Sequence, residues 1–151
     1  MSVDRRAFLA ALAAAPVAAG LAMAQQARPT MTVYKDANCG CCKAWIDHCT
    51  KAGFKVTSRD VADLNAIKRE LGVPARLASC HTGVIGPYLI EGHVPADLID
   101  KLLKEKPAGR GLAVPGMPIG SPGMEVPGAT PEKYQVMLFA ADGAARVFAS
   151  R

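Results

Sequence analysis

Aromatic residues are scarce, with one Trp, three Tyr and four Phe in 151 residues. So few rings offer little for bases to stack on, which excludes an aromatic-rich nucleic-acid reader. Charged residues make up only 21%, and although the formal net charge is +5, Lys and Arg never run beyond two in a row. A surplus scattered in this way sets up no field for a polyanion, and nucleic acid is not an expected partner. No Ser/His/Asp arrangement, phosphate-binding Gly loop or carboxylate pair stands out. The common hydrolase and nucleotide-binding chemistries are therefore set aside. What is present is a 50% hydrophobic chain of single-domain length, long enough to bury one core and too apolar to be disordered.

The one long apolar stretch, Ala7 to Ala22, follows Asp4-Arg5-Arg6 and precedes Ala22-Met23-Ala24. These are the three parts of an export signal, with cleavage expected after Ala24. Arg5-Arg6-Ala7-Phe8-Leu9 is also similar to a twin-arginine signal, which exports folded protein. The alternative is a retained anchor, although the stretch is short for a membrane span. Residues 1–24 are thus read as a signal peptide, the destination as the periplasm, and the mature chain as a monomer without a membrane span. All five cysteines lie beyond the signal. In an oxidising compartment, thiols that lie close together end as disulfides, as oxidation products or under a metal.

Periodicity predicts a strand at Met31–Lys35 and a helix over 42–52, with apolar side chains at 42, 45, 46, 49 and 52. A strand at 54–61 and a helix over 64–71, closed by Gly72 and Pro74, come next. Two short strands at 83–85 and 88–90 and a third helix opening at Pro95 complete β-α-β-α-β-β-α. That is the element order of an α/β, thioredoxin-like domain over 31–106, with an α+β sandwich of other topology as the alternative. Residues 107–151 form a C-terminal extension ending in a hairpin, Tyr134–Ala140 with Ala145–Ala149. Within it, residues 107–131 contain six Gly and six Pro, a composition that predicts neither helix nor central strand. Excision of 107–126 is accordingly expected to leave the core folded. This segment repeats Pro115-Gly116-Met117 as Pro122-Gly123-Met124. Its two methionines are either hydrophobic pins or thioether ligands.

Asn38-Cys39-Gly40-Cys41-Cys42 places three thiols within four residues where the first helix opens. Unpaired N–H groups and the helix dipole favour thiolate there. Cys39 and Cys42 have C-x-x-C redox spacing, so a thiol–disulfide oxidoreductase is one reading, but it leaves Cys41 unexplained. Three crowded thiolates suit a thiophilic ion instead, with Cu(I) preferred over zinc because structural zinc usually draws on two separated pairs. A zinc-stabilised domain without redox chemistry is the third reading. Ser79-Cys80-His81-Thr82 is expected beside this turn, making Cys80 a fourth thiol and His81 a ligand or a support to one. Cys49 falls on the apolar stripe and is assigned to the core, and His48 to the surface. His93, just before Pro95, is assigned to the entry of the third helix.

Cys39-Gly40-Cys41-Cys42 with Trp45, Ser79-Cys80-His81-Thr82, Gly92-His93-Val94-Pro95, and the stretches 111–118 and 120–125 together resemble the periplasmic copper-resistance family called CopG. This family is distinct from the ribbon-helix-helix repressors of the same name. The resemblance spans about residues 31–126. It implies a thioredoxin-like domain, a cluster of several copper ions as Cu(I) or Cu(II) bridged by Cys39, Cys41 and Cys42, and an oxidoreductase role. It also implies Cys80 as fourth cysteine, with Met117 and Met124 as thioether ligands from the extension. The partners expected are copper ions and periplasmic copper-efflux or redox proteins.

Overall fold

The structure, a computed structural model, describes residues 28–151. The export signal expected over 1–24, its twin arginines and its cleavage site lie outside the described residues. The elements are β1 (Met31–Lys35), α1 (Gly40–Lys51), β2 (Val56–Asp60), α2 (Leu64–Leu71), a 3-10 turn (Ala75–Leu77), β3 (His81–Ile85), β4 (Tyr88–Glu91) and α3 (Ala96–Glu105). The extension then supplies β5 (Gly111–Ala113), β6 (Gln135–Phe139) and β7 (Ala145–Ser150). Among the described residues no helix is long and apolar enough to cross a membrane.

All seven strands join one mixed sheet in the order β2-β1-β3-β4-β5-β6-β7. β1 runs parallel to β2 and β4 parallel to β5, and the remaining neighbours are antiparallel. Because strand side chains alternate between faces, the register separates two apolar layers. Ile90, Leu112 and Leu138 align on one face with Trp45 and Cys49 of α1 and Ile99 and Leu102 of α3. Leu89, Ala113 and Phe139 serve the other face, under Val73 and Leu77. Cys49 is fully buried, and burial pushes its thiol up to about 12, so it remains an inert core residue.

The Gly- and Pro-rich segment departs from expectation. It contains β5, an interior strand paired to β4 on one side and β6 on the other, and Leu112, Ala113 and Val114 are wholly buried. Glycine is required here rather than disruptive, since a Cβ on Gly111 would lie 2.0 Å from the Leu89 carbonyl oxygen. Only a strand without a side chain at that point approaches β4 closely enough to pair. Excision of 107–126 would therefore cut the sheet in two, contrary to the expectation of an intact core.

Candidate metal centre

The centre assembles where the opening of α1 meets the segment leading into β3. Asp36 turns the chain after β1, its Oδ1 accepting from the Asn38 N–H at 2.8 Å and its carbonyl from the Cys39 N–H at 3.1 Å. Cys39 is the N-cap of α1, a place usually held by Ser, Asp or Asn, and its sulfur accepts from the Cys42 N–H at 3.3 Å. A helix whose first turn carries Cys41 and Cys42 thus brings three sulfurs together at its positive end. Cys39 and Cys42 are joined by a disulfide in this structure.

Cys41 is the link to the rest of the centre. Its Sγ lies 3.6 Å from that of Cys39 and 3.8 Å from that of Cys80. The four sulfurs of Cys39, Cys41, Cys42 and Cys80 all lie within 4.8 Å of one another. Cys80 also belongs to a second group with His81 and His93, its Sγ standing 3.3 Å from His81 Nδ1 and 3.0 Å from His93 Nε2. His93 Nδ1 lies 2.8 Å from the Pro122 carbonyl oxygen. A carbonyl only accepts, so the proton of neutral His93 is on Nδ1, and Nε2 presents a free lone pair to Cys80. This is the geometry in which proteins orient a metal-binding imidazole.

Cys80 and the two histidines are held uncharged in the metal-free chain. Burial and the neighbouring Cys41 sulfur push the Cys80 thiol up to about 12, so at neutral pH it carries a proton that a metal ion would displace. Burial, then the charges of His93 and Lys68, hold His81 well below its usual range. Burial also lowers His93, against the opposing effect of its bond to Pro122. His81 stacks on Trp45 with ring centroids 4.3 Å apart, while the Trp45 indole N–H donates to the Val94 carbonyl at 2.9 Å. His81 Nε2 is buried with no hydrogen-bond partner. An orphaned nitrogen of this kind costs about 1–3 kcal/mol, while the other ring nitrogen, Nδ1, is the one that faces Cys80.

His81→Leu is therefore expected to leave the unfolding free energy of the metal-free chain at pH 7.5 unchanged or higher, while weakening metal retention. It should also flatten the acid side of the stability curve. The unfolded histidine takes a proton near pH 6.5 while the buried one resists, so stability falls with pH from about 6.5 toward the lower folded value, by at most about 1.4 kcal/mol per pH unit. Urea melts at pH 7 and pH 5 check this, and equal slopes in the two chains would contradict it.

The extension closes over the centre. Gly123 has φ +86, and a Cβ there would lie 2.7 Å from the Trp45 nitrogen and 2.9 Å from the Cys41 carbonyl oxygen. The turn Pro122–Met124 thus lies directly on the start of α1, with Met124 half-buried. Met117 is 51% exposed, and its neighbour Gly116 is tied to the Cys80 segment by a hydrogen bond from the Ser79 hydroxyl.

Two histidines depart from the roles expected of them. His48 is half-buried rather than on the surface, and its Nε2 accepts from the Ala96 N–H at 3.1 Å. It caps α3, where Pro95 offers no side-chain hydrogen bond. His93, freed from that task, turns to Cys80. Its membership of the centre depends on a contact 13 residues distant, and the only sequence signal for it is the Gly92-His93-Val94-Pro95 motif.

A helix-terminal group of thiols backed by imidazoles defines a protein able to bind a thiophilic metal ion. The family model described as "Protein of unknown function, DUF411" matches residues 77–124, which hold Cys80, His81, His93 and the strap over α1. Two solved structures, Form 1 and Form 2 of "Copper resistance protein copG", are each 51% identical to the chain, cover 82% of it and 98% of their own length, and superpose with a TM-score of 0.77. No curated protein matches. The chain belongs to the CopG copper-resistance family.

Proposed function

We propose that the protein is an exported copper-binding protein that holds several copper ions at Cys39, Cys41, Cys42 and Cys80 as part of copper tolerance. In this reading His93 and His81 complete the ligand set, and Met124 and Met117 serve as thioether donors from the extension. The observation that carries it is the convergence of four sulfurs within 4.8 Å with an oriented His93 Nε2 3.0 Å from Cys80. Sulfur and imidazole donors favour Cu(I) over harder ions. Their mixture also suits cycling between Cu(I) and Cu(II). A thioredoxin-like arrangement of residues 31–106 is supported by the order β2-β1-β3-β4 with β1 and β2 parallel. Export is supported by Arg5-Arg6, the apolar stretch 7–22 and Ala22-Met23-Ala24. Anaerobic titration of the reduced chain with Cu(I) against a chelator tests the reading. More than one retained equivalent is expected, and none would contradict it.

The Cys39–Cys42 disulfide favours a second reading, thiol–disulfide exchange. Cys39 is half-buried and Cys42 fully buried, so an incoming thiolate would meet Cys39 first. It would form a mixed disulfide there and release Cys42 as thiolate.

A further inference from the structure

On the sheet face opposite Trp45 and His81 lies a polar network that the metal chemistry does not use. Glu91, at the end of β4, is wholly buried, and Lys68 of α2 is 5% exposed. The Lys68 ammonium donates to Glu91 Oε1 and, at 2.8 Å, to Thr82 Oγ1. Glu91 Oε1 also accepts from the Ser79 N–H at 2.6 Å, and Oε2 from the Thr82 hydroxyl at 2.6 Å. Every polar atom of this network is satisfied, and Ser79 and Thr82 bracket Cys80 and His81.

A buried ion pair is a poor source of stability. The desolvation of both charges commonly cancels their attraction, and apolar residues of similar volume often serve the fold as well or better. What the network supplies is geometry. Thr82 pairs with Glu91 across β3 and β4, so one carboxylate grips both ends of the four-residue segment 79–82 while its own strand leads two residues on to His93. Cys80 and His93, the closest sulfur–nitrogen contact of the centre, are thereby referred to a single anchor.

We propose that Glu91, held by Lys68, is a positioning residue of the metal centre, fixing Cys80 against Cys41 and His93. This rests on the copper-binding reading for its consequence, though not for its geometry. The test uses the full chain carrying K68M/E91L, which removes both charges and the acceptors for Ser79 and Thr82. Reduced and metal-free, it is alkylated with iodoacetamide, and the labelling of Cys80 relative to Cys41 is followed by mass spectrometry. A change of about fivefold or more is expected, because thiol reactivity follows environment and access. Loaded with Cu(I) and challenged with a chelator, the variant should lose about tenfold or more in retention, as when groups supporting metal ligands are removed. Adding Cys80→Ser should then cost less than about threefold more, although Cys80→Ser alone costs about tenfold, because the two changes remove the same interaction. K68M/E91Q keeps an acceptor for the Ser79 N–H and a partner for Thr82, and should restore both readouts to within about threefold.

Unchanged Cys80 labelling in K68M/E91L, or a retention loss that adds in full to that of Cys80→Ser, would overturn the proposal. If K68M/E91L does not fold, Thr82→Val removes one arm of the grip with little change of shape, and should change the labelling of Cys80 relative to Cys41 by about threefold. No shift there would overturn it equally. A wild-type chain that takes up no copper would defeat the copper reading alone, since the labelling experiment needs no metal.

Discussion

Cys41→Ser should at least halve the copper held per chain and leave the remainder exchanging more than about tenfold faster, since even groups that only support a metal ligand are worth that much. Cys41 is the sulfur in contact with both Cys39, at 3.6 Å, and Cys80, at 3.8 Å. Without it the other three sulfurs still lie within 4.8 Å of one another, but the sulfur that touches both Cys39 and Cys80 is gone. The fold should not notice, because Cys41 is half-exposed at the first turn of α1, where such a change falls within about 0.5 kcal/mol. Disulfide exchange through Cys39 and Cys42 should also survive, within about threefold, because both participating sulfurs remain. Metal analysis beside an exchange assay with glutathione disulfide checks both halves. Full copper in the variant would remove Cys41 from the site, and loss of exchange with full copper would reverse the ranking of the two readings.

Gly111→Ala should damage the fold far more than Cys41→Ser. The added Cβ would lie 2.0 Å from the Leu89 carbonyl oxygen and 2.9 Å from the Leu89 nitrogen. Both are backbone atoms of β4, which cannot swing aside as a flexible side chain would. Relief requires opening the β4–β5 ladder, which also carries β6 and β7. Overpacking of a core usually costs about 1–3 kcal/mol, and a clash against fixed backbone belongs at or above the top of that range. Against total stabilities of about 5–15 kcal/mol this is a large fraction. A denaturant melt of the metal-free reduced chain reads the effect directly. A midpoint equal to wild type would mean that β5 does not pair with β4 as described.

These two positions mark where the sequence was readable and where it was not. Local patterns carried the seven helices and strands up to α3, because helix and strand periodicity on residues 31–105 is set by which side chains turn toward the apolar layers on either face of the sheet. The C-x-C-C turn was legible for the same reason, since its chemistry is concentrated in adjacent residues. β5 was hidden because Gly and Pro density signals breakage in an isolated chain, whereas in the sheet Gly111 meets a demand set by Leu89, 22 residues earlier. His93 and His48 were placed elsewhere, at the entry of the third helix and on the surface, because the role of each depends on a distant partner, Cys80 and Ala96 respectively. Lys68 and Glu91 look like ordinary surface charges in sequence, and only the register of Glu91 with Thr82 buries them together.

The central claim is that the thiolates at the opening of α1 hold copper. It is tested most directly by the copper-to-protein ratio and absorption spectrum of the full chain, purified without a metal-affinity tag and loaded anaerobically in two states. One is fully reduced, and the other has the Cys39–Cys42 disulfide closed before loading. More than one copper per chain in the reduced state, with thiolate bands, and at most one in the disulfide state is the predicted result. Equal copper in both states would contradict the claim, because a disulfide supplies no thiolate and the metal would then be held elsewhere.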